Sequence, residues 1–178
     1  MTTVAELPAG FADKVLSAQS TFRSVMDAMA RPGSVQRIVS SAGAPAALMR
    51  GTAAIALTLF DHDTPVWLDG RMSETSDFAK WLKFHTSAPV IGDSSISHFA
   101  LIGDPQGLLA LDRFAFGSNE YPDRSTTLIL QASLQPHDLF ERLAINKTLF
   151  PRGIDVVLVH DDAIVAIPRT TRLVAKGA

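Results

Sequence analysis

Ile154-Asp155-Val156-Val157-Leu158-Val159, then His160-Asp161-Asp162, then Ala163-Ile164-Val165-Ala166-Ile167, is the stretch that decides the fold. Two β-branched runs joined by so short a polar link read as an antiparallel hairpin. Both runs are apolar almost without interruption, as strands covered on both faces are. Working back from the hairpin, Leu139 to Phe150 reads as a short helix and Thr126 to Ala132 as a strand. Phe99 to Gly103 is another buried-type strand, closed by the turn residues Asp104-Pro105-Gln106-Gly107. A loop with Gly117, Asn119, Pro122 and Asp123 separates these two strands.

Nearer the start, Phe11 to Ala30 carries a helical stripe of Val15, Ala18, Phe22, Val25, Met26 and Met29 at spacings of three and four. Arg31-Pro32-Gly33 stops it, because Pro disfavours helical geometry before it and Gly tolerates positive φ. Ser34 to Val39 reads as a strand, Pro45 to Phe60 as a largely buried Ala- and Leu-rich helix, and Pro65-Val66-Trp67-Leu68 as a short strand. Ser73 is positioned to cap a further helix, with Glu74 and Asp77 in the first turn and Phe78, Trp81 and Leu82 on the inner face, before Pro89 closes the segment. This alternation predicts one α/β domain over residues 1–178, with a mixed sheet covered by helices on both faces.

Composition excludes several function classes. With 178 residues and 47% hydrophobic content, the chain has enough apolar material for a real core. Sixteen Lys and Arg against eighteen Asp and Glu leave a net charge of −2, which argues against a nucleic-acid partner. Cysteine is absent, so disulfides, thiolate zinc sites, iron–sulfur ligation and cysteine nucleophiles are excluded. Met1 to Gly10 lacks the pattern of a signal peptide. The longest apolar run, Ala53 to Phe60, falls far short of the roughly 18 residues that span a bilayer. The expectation is a cytoplasmic protein with no membrane partner. Only 19% of residues are charged, which favours a buried subunit interface.

Three groups of residues carry possible chemistry. Asp61-His62-Asp63 could ligate a divalent metal or relay a proton, although an extended segment would point both carboxylates away from His62. The plainer reading is an Asx turn into Pro65. His85 continues the Phe78, Trp81 and Leu82 face and reads as a packed or capping histidine, while His98, His137 and His160 have no visible partner. The third group is Arg169, Thr170, Thr171 and Arg172 after the last strand, with Arg152 before the other strand of the hairpin. Forked guanidinium donors and hydroxyls at strand ends suit a phosphate or carboxylate, so Arg152, Arg169, Thr170 and Arg172 form a candidate anion site. These arginines could equally pair with Asp155 or with an acidic partner surface. Gln19, Arg23 and Lys147 could contact a ligand or simply be solvated. GxxxxGK[ST], GxGxxG, GxSxG and HExxH are all absent, so no catalytic or metal residue is assigned and no cofactor is expected.

Several ordered blocks resemble the H-subunit family of the bacterial carbon–phosphorus lyase core complex, a phosphonate metabolism family. They are Gln19 to Arg23 with Ala28 to Gly33, Leu57 to Leu68, Phe84 to Pro89, Pro122 to Gln131, Phe150 to Asp155, and Ile167 to Thr171. The resemblance implies a subunit that, with three companions, supports transfer of a ribosyl triphosphate unit from ATP onto a phosphonate, displacing adenine. That is the alpha-D-ribose 1-methylphosphonate 5-triphosphate synthase step of phosphonate catabolism. It also implies a three-layer α-β-α fold distantly like pyridoxal-phosphate-dependent transferases without their cofactor site, and a homodimer when isolated. One departure stands out: relatives carry a further strand with a Gly-Pro-Gly turn where only Ser133 to Asp138 intervenes here, which reads either as a true deletion or, the expectation preferred here, as a break near Leu134–Gln135 where residues are missing.

The leading expectation is therefore an accessory subunit without a self-sufficient reactive centre. Two rivals follow from the residues. One is an autonomous phosphate-ester enzyme that brings Asp61, His62 and Asp63 to Arg169 and Arg172. The other is a phosphonate or nucleotide sensor at the Arg-rich hairpin end.

Overall fold

The computed structural model describes residues 7–39, 42–73, 76–131 and 138–173. The predicted hairpin forms as β6 (Asp155–His160) and β7 (Ala163–Ile167), antiparallel, with His160 opposite Ala163 and Asp161 at φ 51° in the link. It sits in a seven-stranded sheet with β1 (Gln36–Arg37), β2 (Val66–Leu68), β3 (Val90–Ile91), β4 (Phe99–Ile102) and β5 (Thr127–Gln131), in the order β1-β7-β6-β5-β4-β2-β3. Strands β2 to β6 run parallel, whereas β7 is antiparallel to both of its neighbours.

Side-chain alternation divides the sheet between two cores, because neighbours along a strand point to opposite faces. Leu101, Ile129, Val157 and Val159 pack under α1 (Lys14–Ala30), α2 (Arg50–Leu59) and α4 (Ser76–Thr86). Ile102, Leu128, Leu130, Val156 and Leu158 face the other way, against Leu108, Leu111, Phe114 and the helix α5 (Leu139–Leu143). The result is α/β with a mixed sheet covered on both sides.

The first helix presents a different face from the one its large residues suggest. Asp13 caps α1 by accepting from the Leu16 amide at 3.0 Å, and Gly33 at φ 79° ends the turn beyond it. Thr21, Val25 and Ala28 are buried, whereas Val15, Phe22 and Met26 stand 65%, 50% and 52% exposed. At 3.6 residues per turn the two sets form adjoining stripes about 110° apart. The inner stripe is built of small residues, which lets α1 lie close to α2 and β7, while the bulky stripe is left outside.

Three further expectations shift. The buried Ala- and Leu-rich helix starts at Arg50 because Pro45 to Leu48 form a turn, with the Leu48 amide on the Pro45 carbonyl at 2.9 Å. Ser73 lies within a helical segment, α3 (Gly70–Ser73), α4 is described as Ser76–Thr86, and Glu74, expected in the first turn, lies outside the described residues. Asp69 starts α3, its carboxylate taking the Met72 amide at 2.8 Å. The helix expected over residues 139–150 is two, α5 and α6 (Ile145–Leu149), divided at Ala144. Asn146 fixes α6 to the entry of β6 by exchanging two 2.9 Å hydrogen bonds with the Ile154 backbone.

At Gly51 the first turn of α2 meets the hairpin link. Its amide donates to the Asp161 carbonyl at 2.7 Å, and a Cβ there would stand 2.8 Å from that oxygen and 2.9 Å from Val159 Cγ1. Gly→Ala in a helix ordinarily gains up to about 1 kcal/mol. Here Gly51→Ala is expected to lose about 1–3 kcal/mol by overpacking. Gly70→Ala, where a Cβ meets nothing within 4 Å, serves as the control. Urea unfolding midpoints of the two variants compare them directly, and a stabilised Gly51→Ala would contradict the contact.

Candidate functional site

Because β7 runs against β6, the residues that follow it return to the N-terminal rim of the parallel strands. Arg169 thus meets Asp155, the first residue of β6. Its backbone N–H donates to Asp155 Oδ1 at 2.7 Å, and Nε lies 3.2 and 3.1 Å from the two carboxylate oxygens. Nη2 donates to Asp155 Oδ2 and Ser125 Oγ, and Nη1 to the Pro122 carbonyl. Both side chains are largely buried, 14% and 12% exposed. Arg169 is therefore a strut that ties the loop before β5 to the end of the hairpin, with most of its donors engaged inside the protein. Of the two readings of the Arg-rich segment, pairing with Asp155 describes Arg169.

Beside this strut opens a cavity of about 750 Å³, walled by α5, α6 and residues 169–173. Lys147, Arg169 and Arg172 supply its cations, Thr170 and Thr171 its hydroxyls, and Phe150 an aromatic wall. Lys147 and Arg172 have no ion-pair partner among the described residues. Thr171 Oγ1 and Arg152 Nε are buried and lack a hydrogen-bond partner among the described residues. Groups of that kind require an explanation, since buried polar atoms are ordinarily satisfied. The structure thus brings Thr170 and Arg172 to the cavity wall, uses Arg169 behind it, and leaves Arg152 nearby in sequence with an unsatisfied Nε.

The other sequence candidates lie elsewhere. Asp61 Oδ1 accepts the Asp63 amide at 2.9 Å, and Thr64 Oγ1 takes the Asp61 amide at 2.7 Å, so this segment is an Asx turn. His62 pairs with Asp63 at 3.3 Å on an exposed surface. Four strand positions separate β2 from β7, roughly 19 Å at ~4.8 Å per strand, so this turn and the Arg169 end do not share a cleft. No group of three or more His, Asp and Glu among the described residues is placed to hold a metal ion. His85 packs against Trp81 and Phe84 at ring separations of 5.0 Å, with Nε2 3.0 Å from the Pro8 carbonyl oxygen. Gln19 and Arg23 are exposed on α1, across the sheet from the cavity. His98 and His160 are exposed, and His137 and the break predicted near Leu134–Gln135 lie outside the described residues.

At the C-terminal rim, where open α/β sheets usually receive ligands, the protein fills its own crevices. The segments after β2 and β4 leave toward opposite faces, and between them the buried Asp69 carboxylate accepts the Gly103 and Asp104 amides at 2.8 and 3.0 Å. The N-terminus of α2 is closed likewise. Gln131 Oε1 accepts the Met49 amide at 2.6 Å, Gln131 Nε2 donates to the Ala47 carbonyl at 3.0 Å, and the Asp161 carbonyl takes the Gly51 amide. Neither Asp69 nor Gln131 is marked by any sequence motif; only the crossover pattern exposes their roles.

Fold and site together define an α/β protein in which Asp69 and Gln131 occupy the described part of the usual ligand rim and a cationic cavity lies at the opposite rim. The profile of the bacterial phosphonate metabolism protein family (PhnH) matches residues 9–137 and 132–174. The chain is 41% identical over 198 aligned positions to the alpha-D-ribose 1-methylphosphonate 5-triphosphate synthase subunit PhnH of Rhizobium meliloti (strain 1021), covering 97% of this chain and 98% of that protein. The chain belongs to the PhnH family. The alignment is longer than the 178 residues of the chain, so that relative has residues without a counterpart here. The two profile matches overlap over residues 132–137, the stretch that contains Leu134–Gln135.

Proposed function

We propose that this chain is a subunit of an alpha-D-ribose 1-methylphosphonate 5-triphosphate synthase acting in organic phosphonate catabolism. The observation that carries the reading is near full-length similarity to a protein of that name. Its part in the reaction is accessory: it assembles with companion subunits and offers an anion-binding end formed by Arg152, Arg169, Thr170 and Arg172, with Arg169 setting the shape. The exposed Val15, Phe22 and Met26 stripe of α1 supports a role in assembly, because bulky apolar side chains in a row are costly to leave in water. Pairing of two copies is part of this reading when the chain is isolated. A cytoplasmic location goes with it; no helix among the described residues is long and apolar enough to cross a membrane.

The distant likeness to pyridoxal-phosphate-dependent transferases belongs here too. It is supported by the mixed seven-stranded sheet with β7 running against its neighbours. The sealed N-terminus of α2 agrees with a chain that holds no such cofactor there.

The test is reconstitution. The purified chain mixed with ATP and methylphosphonate is expected to release no adenine, whereas co-expression with tagged companion subunits is expected to retain the chain on the affinity resin and to yield adenine. Adenine release by the isolated chain, or its failure to be retained by any companion, would overturn the accessory reading.

A further inference from the structure

The groove beside Arg169 is charged in a way the rest of the chain is not. Among the described residues lining it there are three cations and no acid, in a chain whose net charge is −2. Arg169 is already neutralised by Asp155, so the open positive charge belongs to Lys147 on α6 and Arg172 beyond β7, both exposed. Leu143, Leu173 and the Phe150 ring, which is 64% exposed, give the groove an apolar wall. The same two helices, α5 and α6, also expose Phe140 and Ile145, at 42% and 39%. A small anion would neutralise the cations and leave these bulky side chains in water. A polypeptide covers both, and aromatic side chains and Arg are what protein interfaces concentrate. A two-fold contact between copies of this chain is disfavoured, because it would set Lys147 and Arg172 against themselves.

We propose that this groove is a docking site for a companion subunit that presents an acidic segment, with an Asp or Glu carboxylate against Lys147 and Arg172 and flanking apolar side chains against Phe150. Lysine and arginine meet carboxylates with charge-assisted hydrogen bonds, stronger than neutral ones. Arg169 shapes the groove and donates nothing to the partner, its donors being engaged by Asp155, Ser125 and Pro122. The proposal rests on reading the chain as an accessory subunit, and it names the anion that the Arg-rich end receives.

The companion subunits, co-expressed with one tagged, are immobilised, and the full chain is titrated over them by biolayer interferometry. Binding is expected to saturate and to weaken as salt is raised. Lys147→Glu with Arg172→Glu is expected to weaken it at least about a hundredfold, since like charges then face each other. Phe150→Ala is expected to cost about tenfold. Lys80→Glu with Lys83→Glu, the same change of net charge placed on α4 across the sheet, is expected to change nothing. Far-UV circular dichroism reports whether each variant is folded. Should Phe150→Ala fail to fold, the charge-reversed variant, altered at two exposed positions, carries the test. Carbodiimide, which joins a lysine amine to a touching carboxylate as an amide with loss of water, is expected to link Lys147 to an Asp or Glu of a companion. Lys147→Arg is expected to bind like the unaltered chain and to lose that link.

Unchanged binding by both the charge-reversed variant and Phe150→Ala overturns this docking site and leaves the accessory reading standing. A Lys147 link only to a second copy of this chain, or none at all, overturns the acidic companion. Failure of the unaltered chain to bind any companion overturns the accessory reading and the proposal with it.

Discussion

Replacing Arg169 by Met is expected to destabilise the protein by about 3–5 kcal/mol, the cost of leaving a buried charge without its partner. Asp155 would keep only the Arg169 backbone N–H, and the Pro122 carbonyl and Ser125 hydroxyl would lose their donors. All of these groups sit where the loop before β5, the start of β6 and the end of β7 meet, so the damage is to tertiary closure. The second half of the experiment removes the stranded charge as well. Asp155→Leu with Arg169→Met is expected to recover at least about 1 kcal/mol of the loss, since apolar replacement of both partners of a buried pair is often well tolerated. Urea unfolding followed by far-UV circular dichroism reads both variants. A loss below about 1 kcal/mol in the single variant would mean that the pair is solvated and not a strut.

Trp81→Ala carries an expected loss of similar size, about 3–5 kcal/mol. Its side chain is wholly buried between α4 and the core under α2, and Nε1 donates to the Pro8 carbonyl at 3.0 Å. The same carbonyl lies 3.0 Å from His85 Nε2, so two side chains of α4 clasp the segment that leads into α1. Trp81→Phe isolates the clasp: it keeps most of the apolar volume and removes the donor. That variant is expected to lose about 1–2 kcal/mol, part from the lost hydrogen bond and part from the small void. Equal losses in the Phe and Ala variants would show that volume is not what Trp81 contributes.

These two positions also mark what could be read from the amino acids alone. The hairpin and the α/β class were legible because buried strands must be apolar on both faces, and residues 128–130, 156–159 and 163–167 are so at every position. Trp81 with Phe78 and Leu82 was legible because helical spacing and bulk coincide. On α1 they do not coincide: contact with α2 and β7 selects Thr21 and Ala28 for smallness, and spacing cannot tell a buried stripe from an exposed neighbour of it. The strand β3 escaped notice because two residues are too few for any period. The break at Ala144 escaped because it depends on Asn146 finding Ile154 eight residues later.

The site divides along the same line. The cluster of Arg169, Thr170 and Arg172 was visible as chemistry, and Asp155 as one of its possible partners. Which arginine is consumed and which remains free is a matter of register, set by the antiparallel return of β7, and no local pattern encodes it. Lys147 joins the wall from a different helix, and the unsatisfied Thr171 hydroxyl is a property of packing only.

The strand order has one more consequence, for how the molecule is made. β1 pairs with β7, and α1 lies across that same strand, so the earliest described elements close against the last one. A nascent chain leaving the ribosome cannot seat its first helix until more than a hundred later residues have emerged, and contacts so distant in sequence form slowly. Through that interval the inner stripe of α1 lacks part of the core it packs against, beside a bulky stripe that stays exposed even in the folded chain. Completion of the α1 contacts therefore waits until synthesis has passed β7.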